Sequence, residues 1–214
     1  MNGALTKTEF SLYSLFYGKF GKQEFDLSSV KWFFSKQMLK KIVFKLVKAG
    51  WLQRLRKGVY KCVSPEENVR KLFEPRVEKV LIDSGLKFAF SKATAAEIWS
   101  NGVYVQTSWE YKPFFIKVLK KDLKKWLKYL KKNELSFFTE KPSNIVGEFV
   151  VLEAVEKLKV EYYDNMPVES LKETIRFCEK NIDTFEYILG YFTRKYKVKT
   201  SAGKEMIEKA GEAL

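Results

Sequence analysis

The stretch SKQMLKKIVFKLVKAGWLQRLRKGVYKC, residues 35–62, sets two shapes side by side. In its first half Leu39, Ile42, Val43, Leu46 and Val47 recur at i, i+3, i+4, i+7 and i+8, which is the spacing of one helix face. Ser35 stands where an N-cap is needed, and Gly50 lies just past a helix predicted to end near Ala49. Lys36, Gln37, Lys40, Lys41 and Lys45 then project from the side away from the apolar stripe. In the second half WLQRL and VYKCV read as two short strands, separated by Arg56, Lys57 and Gly58 as a tight turn. The predicted order is helix, strand, basic turn, strand.

Upstream, LTKTEFSLYSLFYGKF carries Leu5, Phe10, Tyr13, Leu15, Phe16 and Tyr17, with Thr6 or Thr8 able to cap a first helix. FDLSSVKWFF reads as a shorter second helix. Three helices followed by a hairpin is the order of a winged helix-turn-helix domain. In that arrangement the third helix enters the major groove, its N-terminal residues meet base edges, and the basic turn lies along the backbone or minor groove. The expected fold class is therefore α+β: an N-terminal winged helix-turn-helix over residues 1–64, then a larger mixed α+β domain over 65–214.

Composition agrees with a folded chain of this size. The 214 residues are 46% hydrophobic and 16% aromatic, enough for one large or two small cores. No apolar run approaches the roughly 18 residues of a membrane span, and MNGALTKTEF is not a charged leader before an apolar stretch. A soluble, cytoplasmic protein without a membrane partner is expected. Cys62 and Cys178, two distant thiols, make neither a disulfide framework nor a zinc cluster and read as buried packing residues. The chain has no histidine, which excludes Ser-His-Asp, Cys-His and HExxH chemistries.

The net charge of +14 is concentrated. Residues 1–64 hold 13 Lys and Arg against 3 Asp and Glu, and residues 112–141 hold 10 against 3. No acid lies between Asp26 and Glu66. A concentrated positive field suits a polyanionic partner, because neutralising phosphates releases condensed counterions. The ordinary alternative is a lysine face that merely solvates its helix.

Resemblance adds to periodicity here. SKQMLKKIVFKLVKAGWL resembles the recognition helix and following strand of bacterial and archaeal winged-helix regulators, with Ser35, Leu39, Ile42, Val43, Leu46, Gly50 and Leu52 at matching positions. RLRKGVY, with Arg54, Leu55, Gly58, Val59 and Tyr60, is similar to the hairpin in antitoxins of AbiE-type abortive-infection systems. FAFSKATAAEIWSNGVYVQTSWE resembles the segment of that family where a helix of small residues leads into a strand. The first resemblance covers residues 5–64 and the second residues 86–119. The AbiE-type resemblance implies a C-terminal antitoxin domain, repression of the protein's own operon, and a nucleotidyltransferase-like toxin as partner.

Downstream, Ser64 and Glu67 read as a capping box for a helical pattern through Val69, Leu72, Phe73, Val77, Val80 and Leu81, with Pro75 dividing or kinking it. ATAAEIW is a helix that Ser91 or Thr94 can cap; VYVQTSW and PFFIKVL read as strands. LKKDLKKWLKYLKK puts Leu119, Leu123, Trp126, Leu127 and Leu130 on one face and lysines around the rest. That helix reads first as a solvated surface, second as a further phosphate contact, third as a membrane-surface helix. ELSFF, IVGEFVVLEAV and helices from about Val168 to Lys197 complete the domain.

One weak enzymatic signal exists. Asp83, Glu110 and Lys112 give the D…ExK spacing of metal-dependent nucleases, but with this much Glu and Lys about three ExK triplets arise by chance. No phosphate-cradling glycine loop is present. The sequence thus predicts a double-stranded DNA-binding transcriptional regulator, most simply a repressor, and not an enzyme; no catalytic residue, cofactor or metal is implied. Gln37 suits adenine, Lys36, Lys40 and Lys41 choose between guanine edges and phosphates, and Lys45 extends the row. Ser35 holds a backbone or phosphate position, and Arg54, Arg56 and Lys57 serve the wing. Expected partners are duplex DNA, a second copy of the chain and, from the resemblance, a cognate toxin. The competing readings are a metal-dependent nucleic-acid enzyme and a protein-only adaptor.

Overall fold

Thr6 ends a short strand, β1 (Leu5–Thr6), and caps the helix that follows it, α1 (Lys7–Phe20). These elements belong to a computed structural model that describes residues 5–30, 35–72, 77–105, 111–140, 142 and 144–213. Strand β2 (Glu24–Asp26) and a 3-10 turn (Leu27–Val30) come next, where the sequence predicts a second helix from Phe25. Phe25 instead pairs with Tyr60 in a sheet, and Asp26 Oδ1 accepts from the Ser28 N–H at 2.7 Å, a local bond that competes with helical turns. Residues 31–34, the rest of that predicted helix, lie outside the described residues.

Helix α2 (Lys36–Lys48) ends as its pattern predicts, with Gly50 at φ 79° just beyond it. Strands β3 (Leu52–Arg56) and β4 (Val59–Cys62) form the hairpin, and the three-stranded sheet runs β2-β4-β3. Arg56 is the last residue of β3 rather than part of the turn, which is left to Lys57 and Gly58. Phe16 of α1, Phe25, the α2 stripe and Trp51 close a hydrophobic core over these elements, with Tyr13 edge-on to Trp51 at 4.6 Å.

The remainder is built on a larger sheet. Helices α3 (Pro65–Leu72) and α4 (Val77–Ile82) stand where one interrupted helix is predicted, and Phe73 and Pro75 lie outside the described residues. Then come β5 (Phe88–Phe90), α5 (Lys92–Trp99), β6 (Tyr111–Leu119), a 3-10 turn (Lys120–Asp122), α6 (Leu123–Lys132), β7 (Phe137–Phe138) and β8 (Ile145–Val155). Strands β9 (Glu161–Tyr163) and β10 (Met166–Val168) precede α7 (Leu171–Lys180), α8 (Ile182–Tyr196) and α9 (Lys204–Ala210). The strand order is β1-β8-β6-β5-β10-β9, with β7 also on β8.

β6 and β8 pair in parallel from Tyr111 opposite Gly147 to Leu119 opposite Val155. Parallel neighbours need a crossover, and α6 is part of it. Its Trp126 and Leu130 are fully buried, Trp126 lies edge-on to Phe88 at 5.4 Å, and the Tyr129 hydroxyl donates to the Val80 carbonyl at 2.9 Å. Near-continuous apolar runs in β6 and β8 are what a sheet covered on both faces requires.

Two further segments differ from the sequence expectation. Val103–Val105 is irregular, not strand: Ser100 Oγ accepts from the Tyr104 N–H at 3.3 Å, and the Tyr104 ring packs on Phe185 of α8 at 5.1 Å. The rest of VYVQTSW, and Glu110, lie outside the described residues. The β9–β10 hairpin was unforeseen, and its Asp164–Asn165 turn has φ of 49° and 63°, the left-handed pair that the commonest two-residue hairpins use. The small-residue helix α5 begins after Ser91, which makes no side-chain cap bond; Thr94 sits inside it, accepting from the Phe115 N–H at 3.0 Å.

The small core joins the large sheet through β1, where Leu5 pairs with Val146 and Thr6 with Ile145. Val146 belongs to the small core although it lies on the long strand. At the far end of the chain α8 and α9 touch backbone to backbone at Gly190, where an added Cβ would stand 2.6 Å from the Met206 carbonyl oxygen. Gly190→Ala is expected to force the helices apart and cost about 1–3 kcal/mol. Thermal unfolding should show Tm falling by a few degrees, as about 2–4 °C per kcal/mol applies at this chain length.

Candidate nucleic-acid interface

The sides of α2 divide, with Met38, apolar and 41% exposed, at the border. Leu39, Ile42, Val43 and Leu46 are buried, while Lys36, Gln37, Lys40, Lys41, Phe44, Lys45 and Lys48 are exposed. Ser35 caps the helix, its Oγ accepting from the Met38 N–H at 3.3 Å. That bond gives Ser35 a structural role at the N-terminus of α2. Lys36, Lys40, Lys41 and Lys48 form no ion pair among the described residues.

Lys45 differs from its neighbours. Its ammonium meets Glu9 Oε1 at 2.5 Å, with the Lys45 side chain 48% exposed and that of Glu9 7%. Glu9 is also the third residue of α1 and closes a capping box there: its Oε2 accepts from the Thr6 N–H at 2.9 Å, and Thr6 Oγ1 accepts from the Glu9 N–H at 3.2 Å. One carboxylate therefore caps α1 and holds α2 against it. Burial pushes its pKa up, but the bonds from Lys45 and Thr6, with the Lys45 charge, outweigh burial and leave it below the ordinary value. One turn further along α1 the Tyr13 hydroxyl donates to the Val63 carbonyl at 2.6 Å, tying α1 to the end of the hairpin.

The hairpin presents Arg54, Arg56 and Lys57, all exposed. Arg56 reaches Glu24 of β2 at 3.8 Å, a pair open to water on both sides and correspondingly weak. The β3–β4 register shifts between Arg54 and Arg56, so Leu55 is left without a partner and stands 40% exposed beside the basic turn. Beside α2, Thr6, Thr8, Glu9, Met38, Lys41 and Asn144 line a concavity of about 270 Å³ where the small core meets β8.

A second cationic surface lies on α6. Lys121, Lys124, Lys128, Lys131 and Lys132 are exposed and form no ion pair among the described residues, while Lys125 pairs with Asp122 at 3.0 Å and Lys120 with Glu156 at 2.5 Å. Like charges spaced i, i+4 repel by a few tenths of a kcal/mol each, so this helix keeps its cations together at a small cost.

Glu169, Lys117 and Lys195 are charged groups tied into the fold. Glu169 is buried, accepts from the Lys92 N–H at 2.8 Å, and meets Lys117 at 2.6 Å. Burial presses Lys117 towards neutrality, but the bond and charge of Glu169 hold the ammonium above its ordinary pKa. Lys195 donates to Tyr163 at 2.7 Å and lies over the rings of Tyr163, Tyr191 and Tyr196. Burial pushes the Cys62 thiol up to about 11 and the Cys178 thiol up to about 12, Cys178 also facing the charges of Glu169 and Glu179. Both cysteines are buried packing residues.

Of the D…ExK spacing, Asp83 is exposed, Lys112 pairs with Glu97 at 3.5 Å and lies over Phe114, and Glu110 lies outside the described residues. No group of three metal-ligating side chains and no helix long and apolar enough to cross a membrane occurs among the described residues. Sequence reading passed over Phe44, which is 69% exposed in the middle of the lysine face, and over Lys48. The signal for both was available: Phe44 and Lys48 fall outside the i, i+3, i+4 stripe. Compared with known proteins, the chain matches no family model and no curated protein sequence.

Glu9→Ala should destabilise the small core by about 1–2 kcal/mol through loss of a cap and of a half-exposed ion pair, whereas Glu9→Gln, which still caps, should cost about half as much. Because the folded pKa is depressed, the ion pair stabilises fully above the ordinary value of 4.5 and fades as pH falls through the lower folded value. Thermal unfolding from pH 7 to 3 should therefore show a shallower acid slope for Glu9→Gln than for the wild type.

Proposed function

We propose that the protein is a sequence-specific double-stranded DNA-binding regulator of transcription, most simply a repressor. Residues 1–64 act as a winged helix-turn-helix, with α2 as recognition helix and the β3–β4 hairpin as wing. The observation that carries this reading is the exposed row Lys36, Lys40, Lys41 and Lys48, held rigid by a buried stripe and set in a stretch without acids. A helix that only needed solvating would gain from mixed signs at i, i+4, which α2 lacks. The hairpin supports the same reading, since Arg54, Arg56 and Lys57 extend the positive surface to a second element.

Roles follow from geometry. Gln37 reads a base edge, adenine being its bidentate match, and Lys36, Lys40 and Lys41 contact guanine edges or phosphates. Lys45, engaged by Glu9, orients the helix. The larger α+β part takes dimerisation or partner binding. A two-fold dimer would set two copies of α2 in successive major grooves, about 34 Å apart, and cover a promoter site of matching symmetry.

Selection of bound duplexes from a random pool, followed by affinity measurements across salt, tests the reading. Expected is a preferred sequence and an affinity falling steeply with salt. The triple variant Lys36→Ala, Gln37→Ala, Lys40→Ala should lose specific binding by at least about 100-fold, at about 1–3 kcal/mol for each good base contact. Lys48→Ala should weaken all duplexes alike and flatten the salt slope by about one. A protein with no salt-sensitive duplex affinity is not this regulator.

A further inference from the structure

Phe44 is the one phenylalanine among the described residues that stands open to solvent, at 69% exposure. It makes no ring contact with any other described residue. At 3.6 residues per turn it lies directly opposite the buried stripe, in the centre of the exposed face. Its helix neighbours at i−4, i−3 and i+4 are Lys40, Lys41 and Lys48, and Gln37 lies two turns back on the same line. Single apolar residues are common on protein surfaces. This one sits at the middle of a face whose other members, apart from Met38 at its border, are cationic or amide, where a straight-chain polar residue would favour the helix more.

We propose that Phe44 is a specificity-determining residue that packs on the C5 methyl group of a thymine in the major groove. The inference rests on the DNA-binding reading of α2 and deepens it. The face combines two demands, and the major groove meets both: phosphates at its rims for the lysines, and the thymine methyl as the apolar group presented among its base edges. A second copy of the chain fits poorly, because a two-fold axis through this face would set Lys40, Lys41 and Lys48 against their own equivalents. An acidic protein surface answers the lysines but sets the ring against charges. Gln37 and Phe44 are seven residues apart, about 10 Å along the helix axis, which is about three base-pair steps. The preferred duplex is therefore expected to carry an adenine and a thymine separated by about that distance.

The test uses the full-length protein and the duplex selected from the random pool, with each thymine replaced in turn by deoxyuridine, which lacks only the methyl. Wild-type affinity should fall about four-fold at one or two positions, the effect of exposing one buried methyl-sized group, and be unchanged elsewhere. Phe44→Ala should bind the thymine and deoxyuridine duplexes equally, with its salt slope unaltered. Phe44→Leu should restore part of the discrimination. Wild-type indifference to deoxyuridine at every position overturns the proposal while leaving the regulator reading standing. So does a Phe44→Ala protein that still discriminates, or one whose oligomeric state changes in sedimentation, since the ring then covers a protein contact. Failure of the wild type to select any duplex overturns both.

Discussion

The way α1 and α2 are set against each other turns on one carboxylate. Thr6 is at once the last residue of a strand on the large sheet and the cap of α1. Glu9 completes that cap and reaches across to Lys45. A strand end, a helix start and the last turn of α2 thus meet within a few ångströms. The Lys7 N–H donates to the Asn144 carbonyl at 2.9 Å at the same junction. Apart from this cluster, the buried stripe of α2 is held by non-directional apolar contact, which resists separation but sets orientation less sharply. Charged hydrogen bonds have direction, so this cluster fixes how α2 is turned about its own axis.

That rotation matters because α2 has little margin. A helix whose buried stripe spans Leu39, Ile42, Val43 and Leu46 exposes the opposite half of its circumference. Turning it by one residue, about 100°, would bury a lysine and expose an aliphatic side chain. Burial of the stripe and the Glu9–Lys45 pair demand the same rotation, so they reinforce rather than compete. The lysine that spends its charge inside the protein is the one on the border of the exposed face. Those at its centre remain open.

Much of this was legible in the sequence, and most of the exceptions share a cause. Helices α1 and α2, the β3–β4 hairpin, β6, α6 and β8 follow from local signals: a capping threonine or serine, a stripe at helical spacing, a glycine after the last turn, long β-branched runs. Two of the misses are segments where a distant partner decided. Phe25 and Asp26 are neutral between helix and strand until Tyr60 and Val59 arrive to pair with them. VYV has strand composition, yet Tyr104 is drawn to Phe185, eighty residues on. The β9–β10 hairpin hides behind an Asp-Asn turn with no glycine to announce it. At the candidate interface the cations were readable from spacing, but the engagement of Lys45 was not. Nothing local to Glu9 says that it will meet a lysine 36 residues away.

The chemistry of the exposed face divides two tasks that are often treated as one. Lysine carries its charge as a compact, strongly hydrated point on a flexible stem, without the planar fork that lets arginine grip a guanine edge in a fixed direction. A row of lysines is therefore well suited to phosphates and poorly suited to choosing a sequence. Under the regulator reading, affinity comes mainly from Lys36, Lys40, Lys41 and Lys48 and varies steeply with salt. Gln37 and Phe44, the uncharged members at the centre of the face, add discrimination through contacts that release no counterions and so respond little to salt, alongside any guanine edge that Lys36, Lys40 or Lys41 reaches. The specificity ratio, unlike the affinity, should then be nearly constant across ionic strength, a separation that an arginine-built interface of the same shape would not show so cleanly.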